Sequence, residues 1–346
     1  MNQIKVMVVD DSALMRKIIS DMINSEQDMK VVTTARNGQE LLEKIPKFNP
    51  DIITLDVEMP KMDGMTALKE MRNRKMNIPT IVLSSVSKQS VNLTMECLAK
   101  GAFDFLAKPS GAISLDIDKV KKELIQKIRV AAKEINDKVK IRKKKVETPR
   151  LKRISKRIDA VVIGASTGGP KALYSVITKL PKDLNVPVFV VQHMPVGFTK
   201  AFADRLNRNS NLEVVEASEN DIIQKNVVYI APGGFHMQVE KDKRIHLNKE
   251  PAIWGVRPAV DKLFYSASDV YGAHLISVVL TGMGKDGSQG TAYIKDNGGI
   301  TVSEDESTCT IYGMPKAAYE TGKVDIVLPL TEISDEITKV VKETGR

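Results

Sequence analysis

Cysteine, aromatic residues and long apolar runs are scarce in this chain of 346 residues. Two cysteines, Cys97 and Cys309, cannot build a disulfide framework and repeat no metal-ligand spacing, which points to a reducing compartment. No apolar run is long enough to span a bilayer, and the run before Asp10 is too short for a secretory leader, so a cytoplasmic protein without membrane insertion is expected. Aromatic residues make up only 5% of the chain and leave few rings on which bases could stack. A formal charge of +9 still raises nucleic acid as a partner, but the excess is concentrated in one place. Between Lys138 and Arg157 stand eleven Lys or Arg, one acid (Glu147) and no aromatic residue. That composition fits a solvated, self-repelling linker, in which Pro149 stops any continuous helix, better than a nucleic-acid arm.

On either side of the basic stretch lies an α/β pattern, and the length calls for two domains. In the first, strand-like runs at Lys5–Val9, Val31–Ala35, Ile52–Leu55, Thr80–Leu83 and Phe103–Ala107 alternate with segments of helical period. In Ser12–Asn24 the apolar residues Met15, Ile18, Ile19 and Met22 fall on one helix face, with Ser12 placed as N-cap. Five such strands predict a parallel, doubly wound sheet with ligands at the carboxyl ends of the strands. Asp10 and Asp11 close the first strand and Asp56 the third. Three converging carboxylates repel one another unless a hard divalent cation such as Mg²⁺ sits among them. Ser84 and Lys108 end the fourth and fifth strands, a hydroxyl and an ammonium suited to the oxygens of a phosphoryl group. Singly, each of these residues is as well explained as a helix cap.

The segments V-V-D-D-S, L-D-V-E-M-P-K-M-D-G and V-L-S-S, with the Lys108-Pro109 pair, make this region similar to the receiver domain of two-component response regulators. The resemblance implies a five-stranded flavodoxin-like fold in which Asp56 accepts a phosphoryl group. It also implies that Asp10, Asp11 and Asp56 hold Mg²⁺, that Ser84 and Lys108 contact the phosphoryl oxygens, and that Phe105 is an aromatic switch. From Ile113 a helical pattern follows, with Val120, Leu124, Ile128 and Ile135 on one side.

The second half opens on V-V-I-G-A-S-T-G-G-P, residues 161–170, an apolar strand breaking into a glycine-flanked turn before a helix near Pro170. The spacing Gly164-x-Ser166-x-Gly168 suits an elbow that lifts a serine above a sheet edge, and it equally suits a loop that binds phosphate at a helix N-terminus. Further strand-like runs end at Gln192, Ala231 and Leu280, with an amphipathic stretch at Ala259–Tyr271, which predicts a second α/β domain with a mainly parallel sheet. All four histidines lie in this half. His193 follows the apolar run P-V-F-V-V-Q; His236 is its rival, while His246 and His274 suit surface or packing positions. Asp286, in T-G-M-G-K-D-G, supplies an acid at another strand end, unless it merely caps the helix after it. Serine needs an imidazole to take its proton and an acid to fix that imidazole. The order Ser, His, Asp is not that of the α/β-hydrolase fold, so no analogy to lipases follows.

Together G-A-S-T-G-G, Q-H-M-P-x-G-F-T, Y-I-A-P-G-G-x-H-M, R-P-A-V-D, L-T-G-M-G-K-D-G and Y-G-M-P-K resemble the catalytic domain of the chemotaxis response regulator protein-glutamate methylesterases. The resemblance implies Ser166 as nucleophile, His193 as base, Asp286 as orienting acid, the Met283 N–H at the oxyanion and Thr167 lining the site. It implies hydrolysis of glutamate methyl esters on chemoreceptors, deamidation of receptor glutamines, a chemotaxis histidine kinase as phosphodonor, no cofactor for the ester chemistry, and an unphosphorylated receiver that blocks the cleft. Residues 253–256 are where the chain departs most from that family's pattern. The expected division is a receiver over residues 1–122, a helix end and basic linker over 123–157, and a catalytic domain over 158–346. A DNA-binding regulator, a nucleotide-binding enzyme and a non-catalytic adaptor are the rivals. No helix-turn-helix pattern follows the linker, and no G-x-G-x-x-G follows the first strand of the second half.

Overall fold

The computed structural model describes residues 3–108, 115–138 and 157–343, so most of the basic stretch lies outside the described residues. The chain divides into two compact units, residues 1–141 and 142–346.

In the first unit β1 (Ile4–Val9), β2 (Met29–Ala35), β3 (Ile52–Asp56), β4 (Thr80–Ser84) and β5 (Asp104–Ala107) form one sheet in the order β2-β1-β3-β4-β5. Every neighbouring pair is parallel, as the alternation with helices requires. The inner strands are covered on both faces, which is why β3 and β4 read as nearly unbroken apolar runs. Helix α1 (Ala13–Asn24) starts where the Ser12 hydroxyl accepts the Met15 N–H and buries Ile19, Met22 and Ile23. Helices α2 (Gly38–Phe48), α3 (Gly64–Asn73) and α4 (Lys88–Ala99) follow β2, β3 and β4. The last helix, α5 (Leu115–Lys138), sets Leu124, Ile125, Ile128, Ala131 and Ala132 into the same core as Val6, Ile52 and Ile81. The core of this unit therefore extends well past residue 122. The Ile135 side chain lies outside the described ones.

The second unit is built on seven parallel strands: β6 (Ala160–Ala165), β7 (Val188–Gln192), β8 (Glu213–Glu216), β9 (Val227–Ile230), β12 (Leu275–Val279), β13 (Ile300–Glu304) and β14 (Ile326–Leu328). Their order is β14-β13-β12-β6-β7-β9-β8. A separate antiparallel pair joins β10 (His236–Val239) to β11 (Ile245–Asn248). Helices α6 (Gly169–Ile177), α7 (Phe198–Asn207), α8 (Val260–Tyr271), α9 (Ser288–Asp296), α10 (Met314–Glu320) and α11 (Leu330–Glu343) complete it. Phe189, Phe198 and Phe264 are fully buried, and each such side chain contributes about 1.5–3 kcal/mol by leaving water. From β6 the chain moves outward through β7 on one side and later through β12 on the other. The carboxyl ends of β6 and β12 thus flank the point where the winding reverses, the place where such sheets present ligand sites.

Candidate active site

Strand β6 delivers Ser166 and strand β7 delivers His193 to the same level. Ala165 and Gln192 are register partners at the ends of their strands, and the His193 N–H donates to the Ala165 carbonyl at 3.0 Å. The Ser166 hydroxyl and the His193 imidazole therefore leave adjacent strands one step beyond a paired position. The turn after Ser166 is closed by the Gly169 N–H on the Ser166 carbonyl at 2.7 Å, with Gly168 in the left-handed region at φ 77°. Beyond β12, the Ser166 N–H donates to the Thr281 carbonyl at 3.1 Å. Gly282 lies so close that an added Cβ would stand 2.8 Å from Ser166 Cβ. Met283 comes next, and its N–H donates no hydrogen bond among the described residues. Thr167 is buried, its carbonyl accepting the Thr281 hydroxyl at 3.1 Å.

Asp286 is the most enclosed member, 2% exposed. Its Oδ2 lies 2.8 Å from His193 Nε2 and accepts the Val260 N–H at 2.7 Å, while Oδ1 accepts the Asp261 N–H at 2.9 Å. Val260 and Asp261 are the first residues of α8. Asp286 thus serves the N-terminus of a helix distant in sequence, and α9, the helix that follows it, has Gly287 at its N-cap and no side-chain cap. Burial works to raise the Asp286 carboxyl, but the His193 hydrogen bond and charge and the two helix N–H groups outweigh it and hold the carboxyl below its ordinary value. An ionised Asp286 only accepts, so His193 Nε2 carries the proton of this contact. Ser166 Oγ itself makes no hydrogen bond among the described residues. His236 is a packing residue: it is fully buried, with Nδ1 accepting the Ala259 N–H at 3.2 Å and Nε2 on the Pro251 carbonyl at 3.2 Å. His246 pairs with Glu219 and His274 with the Arg157 carbonyl, neither of which touches Ser166, His193 or Asp286 among the described residues.

Three supports escape a reading by motif. Asp261, in R-P-A-V-D, accepts the Gly290 N–H of α9 at 2.7 Å, so α8 and α9 each receive an acid from the other's first turn or its approach. Burial, then the neighbouring Asp286 charge, pushes its carboxyl up to about 6. Glu304, ending β13, is fully buried and accepts the Thr281 N–H at 2.8 Å, fixing the loop that carries Gly282 and Met283. The only sequence trace of Glu304 is an acid closing an apolar run. In the first unit, Arg16 donates to the Asp10 and Asp11 carbonyls at 2.8 and 2.9 Å.

The carboxylate oxygens of Asp10, Asp11 and Asp56 lie within 4.8 Å of one another, with Asp11 the exposed one. Lys108 Nζ bridges Asp10 Oδ2 at 2.8 Å and Asp56 Oδ2 at 2.7 Å. Burial pushes the Asp56 carboxyl up to about 6, against the opposing pull of Lys108. An all-oxygen donor set with this much negative charge fits a hard divalent cation such as Mg²⁺. Ser84 ends β4 beside it, its hydroxyl on the Ser85 carbonyl at 3.0 Å, and Phe105 is buried in β5.

Comparison with known proteins agrees with both units. Residues 161–337 match the CheB methylesterase family model and residues 6–117 the response regulator receiver domain. A Clostridium acetobutylicum protein-glutamate methylesterase/protein-glutamine glutaminase is 59% identical, with all of both chains covered. A Pyrococcus horikoshii protein of the same name is 44% identical over 98% of this chain and 94% of that one. The crystal structure of the Thermotoga maritima CheB methylesterase catalytic domain matches at 44% identity with a TM-score of 0.52, covering 53% of this chain and 99% of that one. With its methylesterase half behind a receiver half, the chain belongs to the CheB methylesterase family.

Proposed function

We propose that Ser166, His193 and Asp286 are the catalytic triad of an esterase acting on γ-glutamyl methyl esters of chemoreceptors. His193 Nδ1 takes the Ser166 proton as Oγ attacks the ester carbonyl carbon, and Asp286 steadies the imidazolium through Nε2. The tetrahedral oxyanion is met by backbone donors, the Met283 N–H being the candidate because it donates no hydrogen bond among the described residues and follows Gly282, which packs against Ser166. The intermediate collapses, the C–O bond breaks, and methanol leaves with the proton from His193. Water then attacks the acyl-serine with His193 again as base, releasing the glutamate carboxylate. A receptor glutamine enters by the same route and loses ammonia. The observation that carries this reading is the 2.8 Å His193–Asp286 contact at the end of a strand paired with the one that delivers Ser166. Ser166→Ala in the full chain is expected to lose methanol release from methylated receptor at least a thousandfold while still accepting phosphate; retained activity would refute the assignment.

Asp56 is the proposed phosphoacceptor, with Asp10, Asp11 and Asp56 holding Mg²⁺, which when bound neutralises charge on the transferring phosphoryl group. Lys108 and Ser84 would contact the phosphoryl oxygens and Phe105 would report the change. A chemotaxis histidine kinase is the proposed donor, and the unphosphorylated receiver the proposed block on the esterase. A cytoplasmic location without nucleic acid or membrane insertion is part of the proposal. No helix among the described residues is long and apolar enough to cross a membrane. The proposed receiver is residues 1–122 extended by the part of α5 that packs into its core, and the proposed catalytic domain is residues 158–346. A small-molecule phosphodonor with Mg²⁺ is expected to raise methanol release by the full chain, and an unchanged rate would contradict the regulatory part alone.

A further inference from the structure

Gln192, the last residue of β7, is 2% exposed and takes no part in the proton transfers described above. Its Nε2 donates to two carbonyls at once, Ser166 O at 2.9 Å and His193 O at 3.0 Å. An amide NH₂ is planar, with its two hydrogens at a fixed angle. Two acceptors bound to it are therefore held at a set separation and direction. The two acceptors are the backbones of the residues that carry the hydroxyl and the imidazole.

The other half of the same amide is unusual. Gln192 Oε1 is buried with no hydrogen-bond partner among the described residues. Burying a carbonyl oxygen without a protein partner is unfavourable, and methionine would fill similar space without that penalty. What methionine would lack is the pair of donors. Room for the oxygen comes from Gly169 at the start of α6: an added Cβ there would lie 2.0 Å from Gln192 Oε1, 2.9 Å from Gln192 Cδ and 2.9 Å from Ala165 Cβ. The second glycine of the doublet thus meets the clamp directly, whereas Gly168 is needed for its backbone conformation.

We propose that Gln192 is a positioning residue, its amide tying the Ser166 and His193 backbones together so that Oγ and the imidazole meet, in an elbow whose Gly169 is kept bare to admit the amide oxygen. The proposal rests on the triad reading. It concerns the reach between nucleophile and base, so it touches the chemical step rather than substrate binding, and a small misplacement there can cost up to about a hundredfold in rate.

The test uses the full chain, phosphorylated by a small-molecule phosphodonor, with methanol release from methylated receptor as the assay. Gln192→Met is expected to lower kcat by at least tenfold with KM within twofold of the parent, while phosphate uptake and circular dichroism stay unchanged. Retained kcat, or equal losses in kcat and KM, would overturn the clamp. A double-mutant cycle gives a second, independent decision. Gly169→Ala is expected to cost at least threefold more in the parent than in a Gln192→Ala background, where the Ala165 contact alone remains; equal losses in the two backgrounds would overturn the pairing even if Gln192→Met fails to fold. Ser166→Ala, run alongside, separates the two ideas. Activity in that variant refutes the triad, whereas its inactivity together with an unimpaired Gln192→Met refutes the clamp alone.

Discussion

Replacing Asp286 by asparagine tests the electrostatics of the site with almost no change of shape. The parent carboxylate accepts three hydrogen bonds, from His193 Nε2 at 2.8 Å, Val260 N at 2.7 Å and Asp261 N at 2.9 Å. Asparagine has one acceptor oxygen. With its oxygen toward His193 and Val260, its NH₂ faces the Asp261 N–H, donor against donor. With the amide reversed, the NH₂ faces both Val260 N–H and His193 Nε2, and the imidazole must move its proton to Nδ1, where it can no longer take one from Ser166. In either orientation the negative charge that stabilises the imidazolium is gone. A buried donor left unpaired costs about 1–3 kcal/mol of stability. Loss of the tautomer and the charge is expected to lower kcat by about 10²–10⁴, equivalent to ~3–5 kcal/mol in the barrier. Stopped-time methanol release with saturating methylated receptor gives kcat, and thermal unfolding of the same samples gives stability. A variant with kcat within threefold of the parent would refute Asp286 as the orienting acid, whatever its melting temperature.

Asp261 offers an optical readout of the same charges, because the sole tryptophan, Trp254, donates Nε1–H to Asp261 Oδ2 at 3.2 Å. The Asp261 carboxyl is neutral below about 6 and ionised above it, so Trp254 fluorescence is expected to change with an inflection near that pH. Burial, the larger cause, persists in Asp286→Asn, but the repelling charge is removed, so the inflection should move to lower pH; a shift upward or none would contradict the coupling. Asp56→Asn should abolish phosphate incorporation from a small-molecule donor and leave basal methanol release unchanged, and incorporation at the parental level would displace Asp56 from its role. Ser84→Ala should leave phosphate uptake possible but weaken the response of the esterase to it, measured as the ratio of rates with and without donor.

Much of this was legible in the sequence because strand ends are. Asp10, Asp11, Asp56, Ser84 and Lys108 each close an apolar run, and a parallel sheet collects such ends on one edge. Ser12 was readable as a cap because capping is local, a hydroxyl reaching an N–H three residues on. Contacts set by register across the sheet were not readable. Asp286 in its loop looks like a cap for the helix after it, but packing of α8 against the β12 end brings the Val260 and Asp261 N–H groups to it first. Glu304 and Thr281 meet because β13 and β12 are neighbours, a pairing no local pattern states. The short strands β8, β10, β11, β13 and β14 leave no clear trace in the sequence for a related reason. Runs such as Glu213–Glu216 and Ile326–Leu328 are too brief for a period to emerge, and only sheet pairing makes them strands. Of the two rival histidines, His193 and not His236 lies within hydrogen-bond distance of Asp286.

The central claim is that Ser166 is a nucleophile activated by His193. A fluorophosphonate that reacts only with activated serines, followed by peptide mass mapping of the full chain, tests it most directly. Modification of Ser166 in the parent, and its disappearance in His193→Ala with the fold intact, is the expected result. A parent chain left unmodified at Ser166, or one equally modified without the imidazole, would contradict it.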